Sequence, residues 1–212
     1  MTCRVVVLIS GNGSNLQALM DDCQKPQSPA QIVAVLANRR DAGGLERARV
    51  AGIANEWVDH SAFAERETFE NALRGRIDNH SPDLLVLAGF MRVLTADFVR
   101  HYQGRLLNIH PSLLPAYKGL HTHQRVLEAG DSEHGCSVHF VSEALDGGPL
   151  IAQAKVPVEA GDTAEVLAAR VLRQEHRIYP QVVRWFAEGR LKLDGQQVLL
   201  DGEVLPPQGR VL

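Results

Sequence analysis

At 212 residues the chain has room for one sizeable hydrophobic core. A formal net charge of -3, with no long basic run, argues against a dedicated nucleic-acid binder and leaves small molecules as the expected partners. The longest apolar run, Leu84 to Met91, is too short to span a bilayer, so no membrane role is expected. Three cysteines (Cys3, Cys23 and Cys136) without a C-x-x-C pair do not suit a disulfide framework. With no signal-peptide pattern, the expected location is the cytoplasm.

Strand-like runs alternate with helical patterns through the first two-thirds of the chain. The runs are Arg4–Ser10, Ile32–Ala37, Ile53–Val58, Asp83–Ala88 and Arg105–Ile109. The first, second and fourth are almost continuously apolar, as in strands buried on both faces of a parallel sheet. Between them, Asn15–Asp22 and Leu45–Ala51 read as helices, the latter stopped by Gly52. Phe69, Leu73 and Ile77 recur every four residues and predict an amphipathic helix over Arg66–Asn79. Thr95 begins a short helix. The alternation implies βαβ units with right-handed crossovers.

After Pro115 the pattern changes. Gln124–Ala129 is helical and ends at Gly130. Cys136–Val141 alternates like a strand, and Leu150–Val158 reads as its antiparallel neighbour across the loop Asp146-Gly147-Gly148-Pro149. Asp162-Thr163-Ala164-Glu165 resembles a capping box opening a long helix, which Pro180 should kink or divide before Gly189. Asp194-Gly195 and Asp201-Gly202 suggest a small terminal hairpin. No internal repeat or linker stands out. The expectation is one α/β domain over 1–212, with an open Rossmann-like, mostly parallel sheet and helices on both faces. Its first half is about 1–105; its second, about 106–212, has antiparallel strands and a long helix.

The richest segment chemically is Leu106-Leu107-Asn108-Ile109-His110-Pro111-Ser112-Leu113-Leu114-Pro115. Asn108 and His110 stand two apart at the end of a predicted strand and so point to one face. Pro111 cannot extend the ladder and holds His110 extended. A hydrogen-bond donor and a titratable base therefore meet where open α/β sheets keep their ligands. Isolated Asn-x-His pairs are more often plain polar groups at a strand end; the rest of the chain favours a functional pair here.

Ser10-Gly11-Asn12-Gly13-Ser14-Asn15-Leu16 links the first strand to the first helix. Glycines let the backbone approach an anion, and the helix start offers free N–H groups. The loop has G-x-G, but Leu16 stands where a dinucleotide fingerprint has its third glycine. A monophosphate is the preferred ligand. Arg39 and Arg40, after the second strand, keep an NADP oxidoreductase open as a second class. His121-Thr122-His123 has H-x-H spacing with His134, His139 and Cys136 nearby, so a zinc site is conceivable. No further ligand motif accompanies it, and substrate contacts or loop hydrogen bonds are the preferred reading. His60, His80 and His101 are expected at the surface. Asp146 is either an ordinary Asp-Gly turn residue or a carboxylate returning toward His110, able to orient an imidazole and favour its protonated form.

Together these pieces resemble the glycinamide ribonucleotide formyltransferases, folate-dependent enzymes of purine synthesis. The resemblance spans essentially the whole chain. It rests on Gly11–Leu16, Leu87-Ala88-Gly89-Phe90-Met91-Arg92, Asn108–Pro115, Gly119-Leu120-His121-Thr122-His123, Ser137-Val138-His139-Phe140-Val141 and Leu145–Pro149. The His110–Pro115 core is shared with other formyl-tetrahydrofolate enzymes; the glycine loop and the Gly119–His123 stretch narrow it. The resemblance implies formyl transfer from 10-formyltetrahydrofolate to the amine of 5-phosphoribosylglycinamide, without a metal.

Carried over by position, Asn108, His110 and Asp146 are the catalytic trio, with His110 as general acid. Gly13, Ser14, Asn15, Gly89 and Glu175 are on the side of phosphoribosylglycinamide, the loop residues at its phosphate and Glu175 at its ribose hydroxyls. Arg66, Met91, Arg92, Val93, Leu94 and Asn108, with the loop Val141, Ser142, Glu143, Ala144 and Asp146, are on the folate side. The expected partners are these small molecules, with no nucleic acid and no membrane, and the protein is a monomer or homodimer. At this length and charge no added tRNA-binding domain is expected, which sets aside methionyl-tRNA formyltransferase. A formyltetrahydrofolate deformylase usually carries a regulatory domain ahead of its first strand, and none is expected here.

Overall fold

Residues 2–212 are described by a computed structural model. They fall into two units, the first running through Leu107 and the second from Asn108 to Leu212. In the first, the apolar runs form parallel strands: β1 (Cys3–Ile9), β2 (Ala30–Ala37), β3 (Ala54–Trp57) and β4 (Leu84–Leu87), in the order β4-β1-β2-β3. Val6, Val7, Leu8 and Ile9 of β1 and Leu84–Val86 of β4 have no exposed surface, as their lack of alternation predicts. Each such side chain contributes about 1.5–3 kcal/mol by leaving water. β3 lies at the edge and is only half-buried, which accounts for its polar Asn55 and Glu56.

The crossover helices are α1 (Ser14–Cys23), α2 (Gly43–Val50) and α3 (Arg66–Asn79). Phe69, Leu73 and Ile77 form the buried stripe of α3. The short α4 (Ala96–His101) is capped by the Thr95 hydroxyl, which accepts from the Phe98 N–H. β5 (Leu106–His110) carries the boundary between the units.

The second unit contains α5 (Thr122–Ala129), the antiparallel pair β6 (Glu133–Phe140) and β7 (Leu150–Pro157), and α6 (Ala164–Ala187). Four short strands follow: β8 (Leu191–Asp194), β9 (Gln197–Leu200), β10 (Glu203–Val204) and β11 (Arg210–Val211). The sheet order in this unit is β11-β7-β6-β5.

The second unit departs from the sequence expectations in several places. β6 is buried on both faces from His134 to Phe140, so the alternation over Cys136–Val141 does not mark a half-exposed strand. The N-cap of α6 is Thr163, whose hydroxyl accepts from the Val166 N–H. Asp162 is held instead by Arg170, and no reciprocal capping box forms. Pro180 does not divide α6, which runs 24 residues. Its missing N–H forfeits one ladder bond, but Pro180 lies in a buried stripe with Ile178, Tyr179, Val182 and Val183, and their burial holds the helix together. The terminal hairpin is a three-stranded meander, β8-β9-β10. Asp201 and Gly202 both take positive φ, as a two-residue turn between β9 and β10 demands. No sequence pattern predicts β11; it pairs parallel to β7 beyond Gly209, where a Cβ would sit 2.7 Å from the Ile151 backbone.

Candidate active site

β5 delivers Asn108 and His110 to one face, two residues apart. His110 is 6% exposed. Its Nε2 lies 2.9 Å from the Tyr117 carbonyl oxygen. A carbonyl only accepts, so Nε2 carries a hydrogen and donates it. The other ring nitrogen, Nδ1, faces the Asp146 carboxylate, 3.5 Å from Oδ2. At that separation a protonated ring would be attracted to the carboxylate without a full hydrogen bond between them.

Asp146 reaches this place from the loop joining β6 to β7. Its backbone is left-handed, with φ 46°, and its Oδ2 accepts from the Gly119 N–H at 2.9 Å. The glycines after it are structural. A Cβ on Gly148 would lie 1.8 Å from the Phe140 carbonyl oxygen, and one on Gly147 would lie 2.8 Å from the Ala144 Cβ. The Asp-Gly-Gly sequence thus lets the loop fold tightly enough to turn a carboxylate inward.

His139 on β6 joins the group, although the sequence alone groups it with the loop histidines. Its Nδ1 donates to the Phe140 carbonyl at 2.9 Å, so its Nε2 presents a lone pair. Asn108 donates to that Nε2 from its amide nitrogen at 3.2 Å. Burial holds the His139 pKa below its ordinary value, so the ring is neutral and the acceptor persists. Its Nε2 is 4.0 Å from Asp146 Oδ1, with no hydrogen between them to bond. The signal in the sequence is a histidine inside an otherwise buried strand, two positions from the buried Ser137.

In the first unit, the loop after β1 packs by backbone contact. Gly13 is the N-cap of α1 with φ 73°, and no side chain caps this helix start. A Cβ on Gly13 would lie 2.9 Å from the Gly44 Cα, and the Gly44 N–H donates to the Gly11 carbonyl. Arg47 fixes the Asn12 carbonyl at 2.7 Å. The start of α1 therefore carries no side-chain cap, and Ser14 and Asn15 stand in its first turn. Gly89 follows β4, and its carbonyl accepts from the Ser10 N–H. Arg39 is paired with Asp41, and Arg40 lies over the Trp57 ring at 5.6 Å, so neither is set aside for a ribose phosphate.

Also in the first unit, residues 90–95 form an irregular segment tied down at both ends. The Met91 N–H donates to the Ser10 hydroxyl at 2.8 Å, and the Thr95 N–H and hydroxyl donate to Glu70. Burial raises the Glu70 pKa, opposed by those Thr95 bonds. Between the anchors Met91 and Val93 are largely exposed, Arg92 is exposed and Leu94 is buried. Arg66 is exposed on the first turn of α3. In the second unit, Val141 and Ser142 are half-buried, and Glu143 and Ala144 are exposed. Glu175 sits in the apolar stripe of α6 between Val171 and Ile178 at 7% exposure, close enough to raise the Cys136 thiol pKa after burial itself.

Five further histidines are held by local bonds. His123 Nδ1 and His134 Nε2 share a hydrogen bond at 3.0 Å. His60 donates to the Asn38 carbonyl, His80 pairs with Glu56 and His101 with Asp78. Of these three only His101 is exposed; His60 and His80 are half-buried rather than at the surface. Among the described residues, no three His, Cys, Asp or Glu groups are placed to hold one metal ion. Likewise, no helix there is long and apolar enough to cross a membrane.

Residues 3–183 match the family model described as formyl transferase. The chain belongs to the formyl transferase family. Within it, this transferase is 60% identical over 205 residues to the phosphoribosylglycinamide formyltransferase of Escherichia coli K12, with 97% of each chain covered. It is 46% identical to the enzyme of that name from Haemophilus influenzae, again over 97% of each. Among solved structures, a phosphoribosylglycinamide formyltransferase from Coxiella burnetii superposes with a TM-score of 0.96 at 51% identity, covering 100% of both chains. This formyl transferase therefore has the mostly parallel α/β fold expected from its sequence, with the long helix and antiparallel strands in the second unit.

Proposed function

We propose that this formyl transferase moves a formyl group from 10-formyltetrahydrofolate to the amine of 5-phosphoribosylglycinamide, in purine biosynthesis. The products are formylglycinamide ribonucleotide and tetrahydrofolate. The observation that carries this reading is the state of His110: one nitrogen committed to a carbonyl, the other facing a carboxylate at 3.5 Å. The E. coli and H. influenzae relatives, named for phosphoribosylglycinamide, support the acceptor.

In this reading the amine nitrogen attacks the formyl carbon, and the carbonyl oxygen becomes an oxyanion. Asn108 has one amide N–H on His139 and directs the other at that oxygen. A preorganised donor of this kind contributes about 3–4 kcal/mol. Asp146 stabilises the imidazolium of His110, whose Nδ1–H is the proton delivered as the carbon–N10 bond breaks. The attacking nitrogen loses its proton to a water ordered by Asp146. The uncapped start of α1, with Gly13, Ser14 and Asn15, takes the phosphate, alongside Gly89. Glu175 accepts from the ribose hydroxyls. Arg66, Met91–Leu94 and Val141–Asp146 take the folate. No step requires a metal, because the formyl donor is already activated.

The test is direct. Purified protein is mixed with 10-formyltetrahydrofolate, with and without phosphoribosylglycinamide, and tetrahydrofolate release is followed. Release that depends on the ribonucleotide is the expected result. Equal release without it would indicate hydrolysis of the donor and overturn the reading.

A further inference from the structure

Tyr117 has a left-handed backbone, φ 54°, a conformation that a tyrosine rarely adopts. Such outliers persist only where their surroundings over-determine them. Here the surroundings do so from three directions. The Ala116, Tyr117 and Lys118 carbonyls each receive a donor: the Ser112 hydroxyl at 2.7 Å, His110 Nε2 at 2.9 Å and Arg125 Nη1 at 2.7 Å. The Tyr117 hydroxyl donates to Asp131 at 2.5 Å. Its ring has the Arg125 guanidinium 5.3 Å from its centroid and the His134 ring edge-on at 6.5 Å.

Beneath this turn lies a buried polar hub. The Ser137 hydroxyl donates to the Ser112 carbonyl at 2.6 Å and accepts from the Leu114 N–H and from Gln153, which also donates to the Leu114 carbonyl. The turn that carries the Tyr117 carbonyl is therefore fixed from the core side and from the surface side.

We propose that Tyr117 is a positioning residue for the transfer. Its main-chain carbonyl keeps a permanent proton on His110 Nε2, and so reserves Nδ1 as the nitrogen whose proton is exchanged. The inference rests on His110 being the acid of the proposed reaction. If the carbonyl moved away, the neutral ring could carry its hydrogen on Nδ1, pointing at Asp146, with the lone pair turned away from the reactants. The side chain of Tyr117 does not touch the reacting atoms. It holds its own carbonyl by tethering a strained backbone to Asp131 and Arg125.

Nitrogen-15 NMR of histidine-labelled protein at alkaline pH reads the tautomer, with the His110 signal identified by its loss in His110→Ala. Wild-type protein is expected to show hydrogen on Nε2. Tyr117→Ala, which removes the tether, is expected to admit the Nδ1–H tautomer and to lower kcat by at least about tenfold, with KM for both substrates within about twofold. Tyr117→Phe, which keeps the ring over Arg125 and loses only the Asp131 bond, should shift both readouts the same way by less. A wild-type ring protonated on Nδ1, an unchanged tautomer in Tyr117→Ala, or a loss confined to KM would overturn the proposal. If Tyr117→Ala does not fold, Tyr117→Phe decides, and unchanged tautomer and kcat overturn it. Full turnover in His110→Ala would instead refute the reading of His110, while the tautomer measurement would still report on Tyr117.

Discussion

His139 accepts from the amide of Asn108 at 3.2 Å, and this one bond decides which way that amide is turned. Because His139 gives its only hydrogen to the Phe140 carbonyl, it can bond the nitrogen end of Asn108 and not the oxygen end. The amide donor toward the oxyanion is thus set by a neutral buried imidazole. Asn108→Asp removes the donor and sets a carboxylate against the lone pair of His139 Nε2; turnover should fall by about 10²–10³ or more. His139→Leu leaves the amide free to rotate, and kcat should fall roughly tenfold with a smaller change in KM. Steady-state kinetics on both variants check this; equal losses in KM and none in kcat would contradict the orienting role.

His110 and Asp146 should behave as a unit. Asp146→Asn keeps the shape of the side chain and removes the charge that favours an imidazolium. His110→Ala should abolish most turnover with substrate affinity largely kept. The double variant should then be little worse than His110→Ala alone, since groups serving one step are not additive. Multiplicative losses would assign Asp146 a separate task.

Much of this arrangement is legible in the residues themselves. The apolar runs of β1, β2 and β4 declare buried parallel strands, and period-two geometry places Asn108 and His110 on one face of β5. The Asp-Gly-Gly loop marks Asp146 as a residue of a tight turn. What is not legible is who bonds whom across the fold. Nothing in the sequence says that His139 accepts from Asn108, because the tautomer follows from a carbonyl on its own strand. Tyr117 acts through main chain, which carries no residue-type signal. Pro180 reads as a helix breaker because propensity is local, whereas the stripe around it is buried by tertiary packing. β11 is two residues long, too short for a periodicity signal.

The glycine loop needs a test that separates ligand from fold. Any side chain at Gly13 would press on Gly44 and sit at φ 73°, so loss of binding there would be ambiguous. Gly11 is different: a Cβ there meets nothing within 4 Å, and its φ lies outside the left-handed region. Gly11→Val should therefore leave the melting temperature nearly unchanged and weaken phosphoribosylglycinamide binding at least about tenfold, with folate affinity retained. Calorimetric titration with each ligand distinguishes the two. Unchanged affinity for the ribonucleotide would place its phosphate elsewhere.

Stability should fall as the solution is acidified, and His134 is a main cause. Its ring is 1% exposed. Burial first, then the neighbouring His123 and His110, push its pKa down from 6.5 to about 4. Burial lowers the pKa of His123 and of His139 as well. The unfolded chain therefore takes up protons that the folded chain refuses. Stability from His134 is full above about pH 6.5 and is lost progressively down to about pH 4, by no more than about 3 kcal/mol. The structural event is the loss of the His123–His134 bond, since a proton on the accepting nitrogen would set two N–H groups against each other. Urea unfolding at a series of pH values in this window should give a rising free energy with pH. His134→Gln, which cannot be charged, should flatten part of that slope and leave the rest to His123 and His139. An identical slope in the variant would show that His134 is not refusing its proton in the folded state.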